Sequence, residues 1–386
     1  EILRCLVGSE MCIRDSFGST GSIGTTTLRI IRENPERFSA VTLVAGKNVD
    51  LLIEQIREFK PRHVYILDER NKEKIKNLFP NIDIYTGERG MELISKLEDA
   101  DIAVSALVGI AGLKPTYNML KHCKEVALAN KEVLVTGGKI IMDRAKKYNT
   151  KLRTVDSEHS AIMQCLRGEE HNKIGKILLT ASGGPFFEKE ITDKIKPSDA
   201  LNHPTWKMGK KVTIDSATMM NKGFEVIEVH WLFDVPETKI QVVVHRQSLV
   251  HSMVQFKDGT IMANIGPKDM QIPIAFALDY PKRLKNNIKP LDLFEIGTLK
   301  FERPDLYKFK CLQLAYKAIE MGHSAQVVLN AADEIAVQAF LDGAIRFTEI
   351  PEMIDWALSN HIVRELNTVD EILELDKTVK MECLNY

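Results

Sequence analysis

Asp156-Ser157-Glu158-His159 sets two carboxylates two residues apart, where an apolar run (Leu152, Val155) gives way to a helix capped at Ser157. At a strand's carboxyl end both acids can face one crevice, the place where open α/β sheets take their ligands. A hard divalent cation wants oxygen ligands, and Mg²⁺ takes one or two carboxylates plus substrate oxygens. Acids at a helix start also suit the helix dipole, so the tetrapeptide alone leaves metal binding and capping both open. A second cluster follows in Asp215 to Glu228. On a helix, Asn221, Glu225 and Glu228 fall at i, i+4 and i+7, on one face. Acids sharing a face repel unless a cation or donors lie between them, and Lys222 beside Asn221 adds phosphate-binding chemistry.

Five further stretches carry polar groups where ligands are expected. Gly18-Ser19-Thr20-Gly21-Ser22-Ile23-Gly24 opens a helix, and glycines there allow close backbone approach to a pyrophosphate. About 20 residues past such a turn an NAD site tends to carry an acid. Here Ala45-Gly46-Lys47-Asn48 offers a cation and an amide instead, which favours NADPH, although Asn48 also suits a helix cap. Asn130-Lys131-Glu132 ends the strand Glu125–Ala129, as either a ligand edge or a solvated helix start. Ser182-Gly183-Gly184-Pro185 can wrap an anion with backbone N–H groups. His203 to Gly209 holds Trp206 and Met208 in a polar loop, either a lid over the ligand or an anchor to the core.

The elements that must position these groups follow from periodicity. Strands at Ala40–Ala45, His63–Leu67 and Ala100–Leu107 alternate with helices up to Val155, the βαβ rhythm of a parallel sheet. Leu249–Phe256 and Thr260–Ile265 flank Asp258-Gly259, a hairpin signal. Prolines 281, 290 and 304 mark a linker, and helical periodicity dominates from Tyr307 on. The fold class expected is α/β: an N-terminal Rossmann-type parallel sheet, a central α/β catalytic domain with an antiparallel edge, and a C-terminal helical bundle. The boundaries fall at 1–156, 157–279 with a lid over 186–210, a linker 280–306, and 307–386. Residues 1–16 are read as non-native, because Arg14, Asp15 and Ser16 interrupt the apolar strand that should lead into the glycine turn.

Composition narrows the partners. The 386 residues carry a net charge of −1, with 44% apolar and 27% charged residues, so neither nucleic acid nor a membrane surface is expected. The six cysteines are scattered without a Cys-x-x-Cys pair, which fits a reducing compartment. With no bilayer-length apolar run and no long apolar leader segment, a cytoplasmic location is expected.

Together, Gly18–Gly24, Ala45–Asn48, Asn130–Glu132, Asp156–Glu158, Ser182–Pro185, His203–Gly209 and Asp215–Glu228 resemble 1-deoxy-D-xylulose 5-phosphate reductoisomerase, from Gly18 to near the C-terminus. The resemblance implies a homodimer that isomerises and reduces 1-deoxy-D-xylulose 5-phosphate to 2-C-methyl-D-erythritol 4-phosphate, using NADPH and Mg²⁺ or Mn²⁺. It implies that Thr20, Gly21, Ser22, Ile23, Gly46, Lys47, Asn48, Asn130, Glu132 and Gly209 contact NADPH. Asp156, Glu158 and Glu225 would bind the metal, with Glu228 beside them. Lys131, Ser157, Glu158, Ser182, His203, Ser216, Asn221 and Lys222 would meet the sugar phosphate, and Lys131, Glu158 and His203 would have catalytic roles. Two other readings stay open on the residues alone. An NADP-linked semialdehyde or homoserine dehydrogenase needs none of the three acids, and an NADP-sensing protein would bind cofactor without turnover.

Overall fold

The computed structural model describes residues 13–98, 101–169, 173–203 and 208–386, which divide into two compact units. The first gathers the chain up to Val133 with Ile141–Ser160 and Asp269–Asn287. The second gathers Leu134–Ile140, Ala161–Lys268 and Ile288–Tyr386.

Among the described residues, the first unit is built on seven strands: β1 (Ile13–Phe17), β2 (Thr42–Ala45), β3 (His63–Ile66), β4 (Asp83–Tyr85), β5 (Ile102–Ser105), β6 (Glu125–Leu128) and β7 (Lys151–Thr154). Their order is β4-β3-β2-β1-β5-β6-β7, and every pairing is parallel. Buried runs such as Leu43-Val44-Ala45 and Ile102-Ala103-Val104 reflect a sheet covered on both faces. The strand order reverses between β1 and β5, so the ligand crevice of this sheet lies outside those strand ends.

The expectation that residues before Gly18 make a poor strand is corrected. β1 forms and pairs with β2 and β5, its register matching Phe17 with Val44 and with Ser105. Ser16 is small enough to be buried there, and Phe17 fills the core. Backbone pairing on both sides outweighs the broken apolar pattern, with a register irregularity between Ile13 and Asp15.

The helix Gln271–Leu278 was not expected. It is apolar all round and adds Ile274, Ala275, Ala277 and Leu278 to a core that includes Leu28, Ile31 and Leu43.

Among the described residues, the second unit holds a four-stranded sheet in the order β11-β10-β8-β9: β8 (Ile174–Ala181), β9 (Ile240–Val244), β10 (Val250–Phe256) and β11 (Ile261–Ile265). β10 and β11 form the expected hairpin, with Thr260 N–H donating to Asp258 and Gly259 at φ +91°. The linker is tied back to β9 by paired backbone hydrogen bonds between Val244 and Glu302. The helices Lys310–Met321, His323–Leu341, Glu349–Asn360 and Val369–Cys383 form the bundle. The first half of the expected lid is fastened to it: Phe186 packs edge-on to Phe347, and Asp193 pairs with Arg346 at 2.8 Å. Trp206, with the rest of 204–207, lies outside the described residues.

Candidate active site

In the first unit, the glycine turn is sterically specified. Gly18 has φ +98°, and a Cβ there would lie 2.5 Å from the Ala106 carbonyl oxygen, on the loop after β5. A Cβ on Gly24 would overlap the Gly18 carbonyl. Gly21 precedes the helix Ser22–Glu33, so Thr20, Gly21, Ser22 and Ile23 stand at a helix N-terminus whose N–H groups suit a pyrophosphate. Gly46, Lys47 and Asn48 are exposed past β2. Asn48 caps the helix Val49–Phe59 through Leu51 N–H at 3.2 Å, so capping holds here, and Lys47 beside it is exposed.

Asn130 is buried and spoken for. Its amide donates to the Leu107 and Gly109 carbonyls and accepts from Val133 N–H, fixing the loop after β5 to the start of the helix Glu132–Tyr148. Glu132, also buried, opens that helix.

Lys131 and Asp156 leave the ends of β6 and β7, and their Nζ and Oδ2 meet at 2.9 Å. His159, fully buried, lies 3.9 Å from the other Asp156 oxygen. Burial pushes the Asp156 carboxyl up, but the Lys131 charge and His159 outweigh it and hold the group well below the usual carboxylate range. Ser157 donates to Glu158, so this serine serves the acid beside it.

The second unit carries the remaining candidates. β8 ends at Ala181, and Ser182 Oγ shares a 3.3 Å hydrogen bond with His203 Nε2. Burial pushes the His203 imidazole down, favouring its neutral form. Gly184, at φ +67°, is packed so closely on Ser216 that a Cβ would overlap the Ser216 carbonyl oxygen. That contact joins the small-residue loop to the helix Lys210–Thr218, whose N-cap is Gly209.

Met219, at φ +61°, ends that helix and starts Met220–Phe233. The left-handed residue puts Ser216 and Asn221 on opposite sides of a joint. Asn221 Nδ2 donates to Glu225 at 2.6 Å, and Lys222 pairs with the other Glu225 oxygen. Lys222, Glu225 and Glu228 are all buried. In each unit, then, an acid expected to ligate a cation carries a lysine counter-ion.

The donor set fits the groups in question: hard carboxylates for a divalent cation, and turns closed to any Cβ for a dinucleotide backbone. Sequence reasoning passed over Lys211 and Asp333, whose carboxylate–ammonium contact links two helices of the second unit. The only local signal was the i, i+4 spacing of Lys211 and Asp215.

Comparison with known proteins covers nearly the whole chain. Family models for 1-deoxy-D-xylulose 5-phosphate reductoisomerase match residues 16–138, for its C-terminal domain 152–233, and for the DXP reductoisomerase C-terminal domain 265–382. A 1-deoxy-D-xylulose 5-phosphate reductoisomerase of Thermoanaerobacter pseudethanolicus is 52% identical over 368 residues, 94% of this chain and 96% of the relative. One of Chloroherpeton thalassium is 51% identical over 93% of this chain and 94% of its own. A crystal structure of DOX-P reductoisomerase with NADPH, fosmidomycin and magnesium superposes with a TM-score of 0.91, at 39% identity, over 96% of this chain and 97% of that one. The Zymomonas mobilis enzyme in complex with NADPH gives a TM-score of 0.91 at 36% identity, over 96% and 98%.

Proposed function

This chain belongs to the 1-deoxy-D-xylulose 5-phosphate reductoisomerase family, and from that premise we propose how its own residues divide the work. The reaction is the NADPH- and divalent-metal-dependent conversion of 1-deoxy-D-xylulose 5-phosphate to 2-C-methyl-D-erythritol 4-phosphate. The rival dehydrogenase and sensor readings fall with that assignment.

Thr20 to Ile23 at the helix N-terminus take the pyrophosphate of NADPH, and Gly46, Lys47 and Asn48 take the 2′-phosphate end. Asn130, Glu132 and Gly209 complete the cofactor contacts, Asn130 by holding its loop in place. Asp156, Glu158 and Glu225 hold Mg²⁺ or Mn²⁺, with Glu228 beside them. Ser157, Ser182, Ser216, Asn221 and Lys222 contact the sugar phosphate, the serine and asparagine groups with Lys222 taking its phosphate. When bound, the cation supplies Lewis acidity to the substrate's oxygens and NADPH supplies hydride.

The chain's own contribution is charge and proton placement. Lys131 keeps Asp156 ionised and adds positive charge beside the reacting oxygens. Burial favours the neutral form of His203, whose Nε2 can accept or donate a hydrogen bond, with Ser182 as its partner. Glu158 joins the cation site to the substrate. The observation that carries this reading is the pair of lysine–acid contacts, Lys131 with Asp156 and Lys222 with Glu225, at helix starts that also present hydroxyl and amide groups.

For the whole chain, we divide function as 1–156 for NADPH, 157–279 for catalysis and dimerisation with a lid within 186–210, 280–306 as linker and 307–386 as the helical domain. A homodimer is supported by β11, an edge strand whose Ile261, Met262 and Ile265 are 49%, 39% and 44% exposed. Among the described residues no helix is long and apolar enough to cross a membrane, and the four described cysteines, all buried, are free thiols, in keeping with a cytoplasmic enzyme. The direct test is NADPH oxidation on adding 1-deoxy-D-xylulose 5-phosphate with Mg²⁺, run with and without chelator. Turnover that chelation leaves intact would remove the metal assignment.

A further inference from the structure

One ammonium group joins three helices of the second unit. Lys211 Nζ lies 2.6 Å from Asp215 Oδ2 on its own helix, Lys210–Thr218. It lies 2.7 Å from Asp333 Oδ2 on the helix His323–Leu341. The same ammonium stands over the ring of Phe224, 4.6 Å from its centroid, on the helix that carries Asn221, Lys222 and Glu225. Asp333 is fully buried, and Asp215 is 1% exposed.

A buried charge cluster is a poor way to gain stability, since apolar side chains of like volume do as well or better. Its directional bonds, however, fix how helices sit. Burial pushes the Asp333 carboxyl up against the pull of Lys211. Asp215 directly precedes Ser216 on the helix Lys210–Thr218, so anchoring its carboxylate helps to fix the backbone from which Ser216 projects. On the other side, the Ser216 carbonyl is packed against Gly184.

We propose that Asp333 is a positioning residue: through Lys211 and Asp215 it fixes the end of the helix Lys210–Thr218 and so aims the Ser216 hydroxyl at the substrate's phosphate. Asp333 touches neither substrate nor cofactor. This rests on the assignment of Ser216 to the phosphate, and the test separates the two.

The experiment is a double-mutant cycle of Asp333→Asn and Ser216→Ala in the full-length enzyme, reading KM for the sugar phosphate, KM for NADPH and Tm. Asp333→Asn should raise KM for the sugar phosphate roughly tenfold with KM for NADPH unchanged, a small misplacement being costly to an oriented contact. In the Ser216→Ala background the same substitution should add less than about twofold, because the hydroxyl it aims is gone. A merely structural role predicts multiplied effects, and that result overturns the proposal. An unchanged KM in Asp333→Asn also overturns it while leaving the phosphate assignment standing. An unchanged KM in Ser216→Ala removes the assignment and the proposal together. Should Asp333→Asn fail to fold, Lys211→Gln, which keeps a donor at similar length, runs the same cycle with the same outcomes.

Discussion

Lys131 and Asp156 meet at 2.9 Å because the parallel register of β6 and β7 matches Leu128 with Thr154, so the residues just beyond each strand emerge side by side. Replacing Lys131 by Met keeps the stem and removes the charge. We expect kcat to fall about 10²-fold or more, the scale for losing one donor aimed at developing negative charge. NADPH affinity should stay within about twofold, and steady-state kinetics with a cofactor titration checks both; a kcat near wild type would make the lysine a counter-ion only.

Gly46 is exposed, and a Cβ built on it meets nothing within 4 Å, so a side chain fits there without strain. Gly46→Asp should therefore act through charge alone, repelling a 2′-phosphate beside Lys47. The ratio of kcat/KM for NADPH to that for NADH should drop about tenfold, roughly 1.4 kcal/mol. A ratio that does not move would place the 2′-phosphate elsewhere.

Glu225→Gln keeps size and the hydrogen bond with Asn221 while removing the charge that Lys222 balances. The helix Met220–Phe233 should survive, with Tm within a few degrees. The Mg²⁺ concentration for half-maximal rate should rise about tenfold or more, and kcat should fall, since one ligand charge is lost. NADPH binding should barely change. Metal dependence equal to wild type would show Glu225 to be no ligand.

Gly184 combines φ +67° with contact on the Ser216 carbonyl, so Gly184→Ala is disfavoured by backbone and by space at once. Loss of stability should be about 1–3 kcal/mol. Urea titration reads that loss, and KM for the sugar phosphate should rise because Ser216 is pushed aside. Wild-type stability would mean that the loop can open without cost.

His323 sits in the second unit with Nε2 2.9 Å from the Thr136 carbonyl oxygen and its ring edge-on to Trp231. Burial pushes this imidazole below its ordinary 6.5. A depressed folded-state pKa means that the unfolded chain binds more protons in that window, so the stability due to this group is complete above pH 6.5 and is lost as pH falls. His323→Gln, which keeps a donor but cannot titrate, should flatten the decline between pH 7.5 and 5.5. Urea melts at the two pH values decide it; equal slopes in both proteins would mean the ring titrates freely.

What was legible in the sequence was what short-range chemistry dictates. Asp258-Gly259 marked its hairpin through one side-chain cap and one positive φ, both local. The bundle helices showed through their apolar stripes, and the glycine turn through its spacing. β1 was misread because its pairing partners are far along the chain and its own pattern is broken at Arg14 to Ser16. The helix Gln271–Leu278 shows no stripe, being buried all round, so periodicity had nothing to detect. The joint at Met219 was invisible because no glycine announces its left-handed backbone. Asp333 escaped for a plainer reason: the lysine it holds is 122 positions away.

The place of β1 in its sheet also bears on how the chain reaches its native form. An outermost strand can be lost at the cost of one row of hydrogen bonds. β1 lies between β2 and β5, so losing it would cut the sheet into β4-β3-β2 and β5-β6-β7, each with a raw edge. As synthesis proceeds, β1 can zip onto β2 early, but its other flank has no partner until Ile102–Ser105 has emerged. Closure of the sheet is therefore a long-range event, and the formation of its centre belongs among the slower steps of folding. A chain shortened at its beginning would lose more than its first few residues.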